Sequence, residues 1–298
     1  MRLQNEDRHR ILLAASSDIY GRAKQVLAIQ MLLTIGGAVI ASLISATWPA
    51  TKSWTVLYAA CVSLIDSFVL ERLQGRLRKI GAQIQEVFDC ELFGLEWNGL
   101  TVGKQPTPEE IEHHGREFLR SHPQAIHLTD WYPTEVSPLP LHYAVLVCQR
   151  ANCWWDERLR KKYLIGLAIL LSFTACALTA YGLAREFTLE QFFLTVLAPI
   201  LPALVWGIRE CLKQSDSAKA AGKLREHVEE LWARCHDQPS KVTELPKNLR
   251  EIQTEIFRGR ASRPLVFDWV NFLLRPKHQE LMQSGALAMV KRLENHRS

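Results

Sequence analysis

The chain lacks the marks of an enzyme. It has no glycine-rich phosphate loop, no Gly-x-Ser-x-Gly elbow and no His-Glu-x-x-His pair, so three large reaction classes lose their signatures. No catalytic residue is assigned. Nothing in it reads as a β-sheet domain. Cysteine is missing from the two short connections between apolar stretches. Cys61, Cys176 and Cys211 lie in or beside those stretches, and Cys90, Cys148, Cys153 and Cys235 lie in polar ones, which argues against a disulfide framework. Cys148 and Cys153 with His142 fit no standard zinc spacing, so neither a metal nor a cofactor is expected. His113-His114 beside Glu109, Glu110 and Glu112 reads as a solvated helix face.

Basic residues are also scarce on one side. The two short connections hold only Lys52 and Arg185. Against these 2 stand 16 elsewhere: Arg2, Arg8, Arg10, Arg22, Lys24, Arg72, Arg76, Arg78, Lys79, Arg158, Arg160, Lys161, Lys162, Arg209, Lys213 and Lys219. They flank four apolar stretches, Val26–Ala46, Trp54–Leu70, Leu164–Ala184 and Phe187–Ile208. Each approaches the ~20 residues that carry a helix across ~30 Å of hydrocarbon. The excess places both termini and the middle segment inside the cell, and makes the formal +5 a mark of topology rather than of DNA or RNA binding. It also favours anionic lipid at the membrane surface. The charged start, 25 residues long, does not read as a cleavable signal.

The fold class that follows is an all-α membrane protein. Four transmembrane helices form two hairpins, with mainly helical cytoplasmic regions and both termini inside. Residues 1–25 form an N-terminal cytoplasmic helix, with Ile11, Leu12, Ala15, Ile19 and Ala23 on one face. Hairpin 1 spans 26–70, cytoplasmic region 1 spans 71–162, hairpin 2 spans 163–208 and cytoplasmic region 2 spans 209–298. Trp48 and Trp54 suit the outer interface. Leu73–Val87 extends span two. Thr107-Pro108-Glu109-Glu110 opens a short helix, and a proline-rich loop surrounds Trp131-Tyr132. A helix from Leu141 enters span three, another leaves span four as far as Cys235, and two more cover Lys247–Arg258 and Pro276–Glu294. The two soluble parts are too small to fold separately and should pack together.

Small residues recur every fourth position. Ala168, Ser172, Cys176, Ala180 and Ala184 do so in span three, Gly37, Ala41 and Ser45 in span one, and Ala59, Ser63 and Ser67 in span two. Such faces let helix backbones approach closely in lipid, either within one subunit or between subunits around a pore. Ser42, Ser45, Ser63, Ser67, Ser172, Thr174 and Thr179 would supply polar groups for such a pore. Asp66 is the one carboxylate inside a span. Intramembrane acids suggest function, but Asp66 lies a turn from Glu71 and Arg72, where snorkelling or an arginine partner accounts for it. Pro199 and Pro202 should break span four, as a gate or as a plain kink. On a helix, Gln149, Asn152, Asp156 and Arg160 form one stripe, flanked by Arg150, Trp154 and Trp155. That stripe suits a polar ligand: arginine for phosphate, tryptophan or tyrosine for base stacking. The same segment also reads as an interfacial helix.

Further blocks run along the chain: Tyr20-x-x-Ala23-Lys24, Phe88-Asp89-Cys90-x-Leu92-Phe93-x-Leu95-x-Trp97-Asn98, Trp131-Tyr132-Pro133 and Leu139-Pro140-Leu141, then Cys148-Gln149-Arg150-x-Asn152-x-x-Trp155-Asp156, Arg160-x-x-Tyr163, Ile252-Gln253-x-x-Ile256 and Val266-Phe267-Asp268-Trp269. In these blocks the chain resembles the SMODS-associating four-transmembrane effector family of bacterial antiphage systems. It implies a multi-pass protein of the bacterial inner membrane, encoded beside a cyclic-nucleotide synthetase. A cyclic oligonucleotide would bind its cytoplasmic side, and a homo-oligomeric pore would then permeabilise the membrane. Arg150, Asn152, Trp155, Asp156, Arg160, Trp131 and Tyr132 are the ligand-binding candidates. Gly37, Ala41, Ser45, Ser63, Asp66, Ser67, Ser172, Cys176, Ala180, Pro199 and Pro202 are the packing or pore candidates. Two rival readings remain: a constitutive channel or small transporter, and a membrane-anchored scaffold for a cytosolic partner.

Overall fold

The computed structural model describes residues 2–37, 39–41, 44, 48–125, 128–193, 197–237 and 244–297. No strand occurs among them. Helix α1 (Asp7–Met31) buries Leu12, Ala15, Ile19 and Ala23 on one face and continues through a π-helical turn, Leu32–Gly36. Helix α2 (Lys52–Ile65) likewise passes through a π turn, Asp66–Leu70, into α3 (Glu71–Phe93). Gly94 ends α3 at φ 66°, a left-handed cap that favours glycine. After the single turn α4 (Gly99–Val102), α5 (Pro108–Ser121) opens with a reciprocal Thr107–Glu110 capping box and Pro108 in its first turn.

Helix α6 (Leu141–Ala184) has 44 residues, so it is ~66 Å long. The turn α7 (Leu189–Phe192) is capped by Thr188 and Gln191. Helix α8 (Ala198–Asp237) is followed by α9 (Leu245–Ser262) and α10 (Asp268–Arg297). Two differences from the sequence reading stand out. The backbone of α8 is helical at positions 199 and 202, while residues 194–196, in the turn before Pro199 where the kink is expected, lie outside the described residues; membrane helices accommodate proline through local adjustment. Helix α10 starts eight residues before Pro276 and holds that proline inside it. Tertiary anchoring of its first turn, where Asp268 pairs with Lys24, outweighs the propensity penalty.

Helix α6 packs along α8, and α1 packs against both α3 and α5. Their extramembrane ends join α9 and α10 around one core that includes Leu12, Phe88, Leu146, Leu249, Ile256 and Met289. The two soluble segments therefore share a core. Phe88 and Leu146 are fully buried, worth ~1.5–3 kcal/mol each.

The apolar helices contrast with this core. Three helices among the described residues, Asp7–Ala41, Ser53–Phe93 and Leu141–Ala184, are long and apolar enough to cross a bilayer. Only 12%, 11% and 0% of the residues in their most apolar windows are buried in the protein. Apolar surface this bare requires hydrocarbon as its solvent, and helices satisfy their own backbone groups there. The fourth stretch includes residues 194–196, which lie outside the described residues.

A basic aromatic cavity beside the membrane spans

A cavity of about 290 Å³ opens where the polar ends of α1, α3, α6 and α8 meet α9, α10 and the 128–136 loop. Its walls carry Lys24, Arg160, Arg260, Arg263 and Arg275 against only two carboxylates, Asp130 and Asp156. Four aromatic side chains line it: Tyr20, Trp131, Tyr132 and Trp155. The lining holds five cations and two anions, with Asp89 and Asp268 outside it paired to Arg260 and Lys24; the remaining excess of cations suits an anionic ligand, and ring faces suit planar groups.

Each wall is fixed by a bonded network. The short 3-10 helix Arg2–Asn5 clamps the loop twice. Gln4 Nε2 donates to the Tyr132 carbonyl at 3.1 Å, and Gln4 Oε1 accepts from the Tyr132 amide at 2.8 Å. Asn5 donates to Asp130 Oδ1 and accepts from its amide, both at 2.9 Å. This clamp holds Asp130 at φ 47°, a strained value for a non-glycine residue.

Behind the loop, Asp89 is fully buried on α3. Tyr132 Oη donates to its Oδ1 at 2.8 Å, and Arg260 Nη1 donates to its Oδ2 at 2.5 Å. Gln253 Nε2 reaches both Asp89 (2.8 Å) and Glu86 (2.9 Å), and Arg250 pairs with Glu86. Burial pushes the Tyr132 hydroxyl well above its ordinary pKa, with Asp89 adding to it, so it remains a donor. Burial opposes the charge on Arg260, but Asp89 and Tyr132 outweigh it and raise its pKa.

On α6, Asp156 accepts from Arg160 Nε at 2.8 Å and from Arg263 Nη1 at 2.5 Å. Arg160 also donates to Gln214 Oε1 (2.7 Å) and to the Pro264 carbonyl (2.9 Å). Gln214 donates in turn to the Leu265 carbonyl at 3.2 Å. Asn271, on α10, lines the cavity, and its Oδ1 is a buried acceptor with no hydrogen-bond partner.

Of the residues singled out from sequence, Trp131, Tyr132, Asn152, Trp155, Asp156 and Arg160 come together here. Arg150 does not. It points to the other side of α6, pairs with Glu229 at 2.7 Å, and lines a separate depression with Trp154 and Arg158. Arg150 is two residues from Asn152, which puts it about 200° around the helix. Gln149 drops into the core, donating to the Leu249 carbonyl at 2.8 Å. Sequence reasoning missed Arg260, Arg263, Arg275, Lys24 and Asn271. The Arg258-Gly-Arg-Ala-Ser-Arg263 text was the available signal, and it looks like any basic helix end. Cys148 and Cys153 are buried while His142 is exposed. Among the described residues, His113, His114 and Glu117 lie close enough to share a metal ion. His114 is instead bonded to Asp18 at 2.8 Å and Glu117 to Arg22 at 2.7 Å.

In the spans, Gly37 lies under the Tyr58 ring, whose hydroxyl donates to the Leu33 carbonyl at 2.8 Å. Ala41 accepts a long bond from Thr55 at 3.4 Å. These two belong to the seam of hairpin 1. Ser63, Ser67, Ser172, Cys176 and Ala180 are all exposed, so the small-residue ridge of span three faces away from its own subunit. Asp66 is half-buried, and its partner is Gln30 Nε2 of span one at 2.6 Å rather than an arginine. Ser45 lies outside the described residues, and for Pro199 and Pro202 only the backbone is described.

These features define an all-helical membrane protein with one extramembrane body and a basic cavity in it. The chain belongs to the SMODS-associating 4TM effector family, whose domain matches residues 1–289. It is also similar to a protein of Bacillus cereus (strain VD146) named "Probable CBASS effector molecule", with 24% identity over 299 residues covering 97% of each chain. No solved structure matches it.

Proposed function

We propose that the chain is a CBASS effector of the bacterial inner membrane. It binds a cyclic oligonucleotide in the cavity on its cytoplasmic side and permeabilises the membrane as a homo-oligomer. The cavity is the observation that carries this reading. Arg160, Arg260 and Arg263 suit phosphates, and Trp131, Trp155 and Tyr20 suit base faces. The family membership and the Bacillus relative support the defence role.

The cavity meets a residue of each long helix that runs toward the bilayer: Tyr20 on α1, Gln85 on α3, Asp156 on α6 and Leu224 on α8. A ligand pulling on these walls biases the spans directly, as a population shift requires differential contacts. Phosphates would compete with Asp89 for Arg260 and with Asp156 for Arg160 and Arg263. The outward ridge of Ser172, Cys176 and Ala180 offers the contact between copies.

Dye-loaded liposomes carrying purified protein test the reading. Leakage should appear with one member of a panel of cyclic di- and trinucleotides and disappear in Arg263→Ala and Trp155→Ala. Arg150→Ala, outside the cavity, should leak like the wild type. Leakage without nucleotide would favour a constitutive channel. No leakage under any condition, together with a stoichiometric cytosolic partner in pulldown, would favour a scaffold.

A further inference from the structure

The first turns of α10 expose Trp269 (66%), Phe272 (55%) and Leu273 (74%). Spacing by three and four places them on one face. The opposite face does different work, since Asn271, Arg275, Gln279 and Met282 line the cavity. Three apolar side chains this large, grouped and exposed, mark a contact surface.

Four ties fix how deep this turn stands. Asp268 pairs with Lys24, two residues before span one begins at Val26. Arg160, a turn before span three, holds the Pro264 carbonyl at 2.9 Å. Gln214, six residues past span four, holds the Leu265 carbonyl at 3.2 Å. Phe267 packs in the same small cluster as Ala23, Leu27, Met31 and Trp206, and the last three belong to the apolar stretches. At ~1.5 Å of rise per residue, these ties place the turn within about 10 Å of the hydrocarbon edge. The headgroup layer on each side is ~5–8 Å thick. Arg72 and Arg76, two and six residues past the end of span two at Leu70, add positive charge close to the same edge, matching an anionic surface.

We infer that the first two turns of α10 lie in the headgroup layer of the leaflet beside the helical body, with Trp269, Phe272 and Leu273 in contact with lipid. The turn is an interfacial anchor additional to the spans. Its two faces read lipid and cavity at once, so whatever fills the cavity changes how the turn sits. Membrane surface is the occupant, because the ties set the turn at bilayer level and the flanking charge is basic.

The test uses the full chain in phosphatidylcholine–phosphatidylglycerol vesicles without nucleotide, so its outcome is separate from the sensing reading. Tryptophan emission is recorded with acyl chains brominated near the headgroup, brominated deep, or unbrominated, for wild type and Trp269→Phe. The emission lost in Trp269→Phe should be quenched at least about twofold by shallow bromine and less by deep bromine. Leu273→Glu, which keeps Trp269, should reduce that quenching. A Trp269 contribution equal in brominated and plain vesicles, taken as wild type minus Trp269→Phe, would overturn the inference. So would bromine-insensitive emission that varies with the protein-to-lipid ratio, which would assign the face to a second copy.

Discussion

At the scale of single residues, the body depends on charges it has buried. Asp89 is fully inside, and Arg260 is its cation. Arg260→Met should lower stability by about 3–5 kcal/mol, the usual penalty for stranding one member of a buried pair. A large drop in melting temperature by circular dichroism checks this, and Arg260→Lys should recover part of it. His278 gives a pH dependence. It is 4% exposed, with its ring edge-on to Trp154 and Trp155 at 5.7 and 5.5 Å. Burial lowers its pKa, and Arg158, Lys162 and Lys277 lower it further. The unfolded chain therefore takes up this proton first as pH falls. Stability from His278 is complete above about 6.5, the ordinary histidine value, and declines below it toward the depressed folded value. Melting temperature should fall as pH drops below about 6.5, and less steeply in His278→Phe. Equal slopes would show that other groups govern acid sensitivity.

At the scale of elements, two crossings depend on glycine. At Gly115 a Cβ would meet Ile11 Cγ2 at 2.7 Å and the Ile11 carbonyl oxygen at 2.8 Å. The second contact is backbone and cannot rotate away. Gly115→Ala should push α5 off α1 and cost about 1–3 kcal/mol. Adding Ile11→Ala should restore only part of it, as thermal unfolding would report. At Gly37 a Cβ would sit 1.7 Å from the Tyr58 hydroxyl. Gly37→Ala should open hairpin 1 and increase protease sensitivity, and Tyr58→Ala should rescue it; an unchanged digestion pattern in the single variant would refute the seam.

These elements also show what could be read beforehand. The α5 start was legible because Thr107, Pro108 and Glu110 carry their geometry locally. Asn152, Asp156 and Arg160 were legible as one stripe because helical periodicity sets their face, while Gln149 turned into the core. The start of α10 was not, since it depends on Lys24, 244 positions away in sequence. The arginines of α9 were missed for the same reason: only the tertiary fold brings Arg260 and Arg263 opposite Asp89 and Asp156. Arg150 sat one position from a cavity residue in phase but on the wrong side of the helix.

At the scale of the whole molecule, the outward ridge of span three carries an exposed thiol, Cys176. If copies meet along that ridge in the membrane, copper-phenanthroline should couple two Cys176 thiols into a disulfide, with oxygen as the oxidant. A dimer band on non-reducing gels should then vanish in Cys176→Ser and persist in Cys61→Ser. A band lost only with Cys61→Ser would move the contact to hairpin 1.

The length of α6 has a mechanical consequence. A rod of ~66 Å with one end in hydrocarbon and the other forming a cavity wall is a lever. Hydrophobic mismatch tilts such rods, so the bilayer's acyl length becomes a variable of the cavity's shape. Reconstitution in progressively longer-chain lipids should then shift the body's affinity for an anion, tying what the protein recognises to the membrane that holds it.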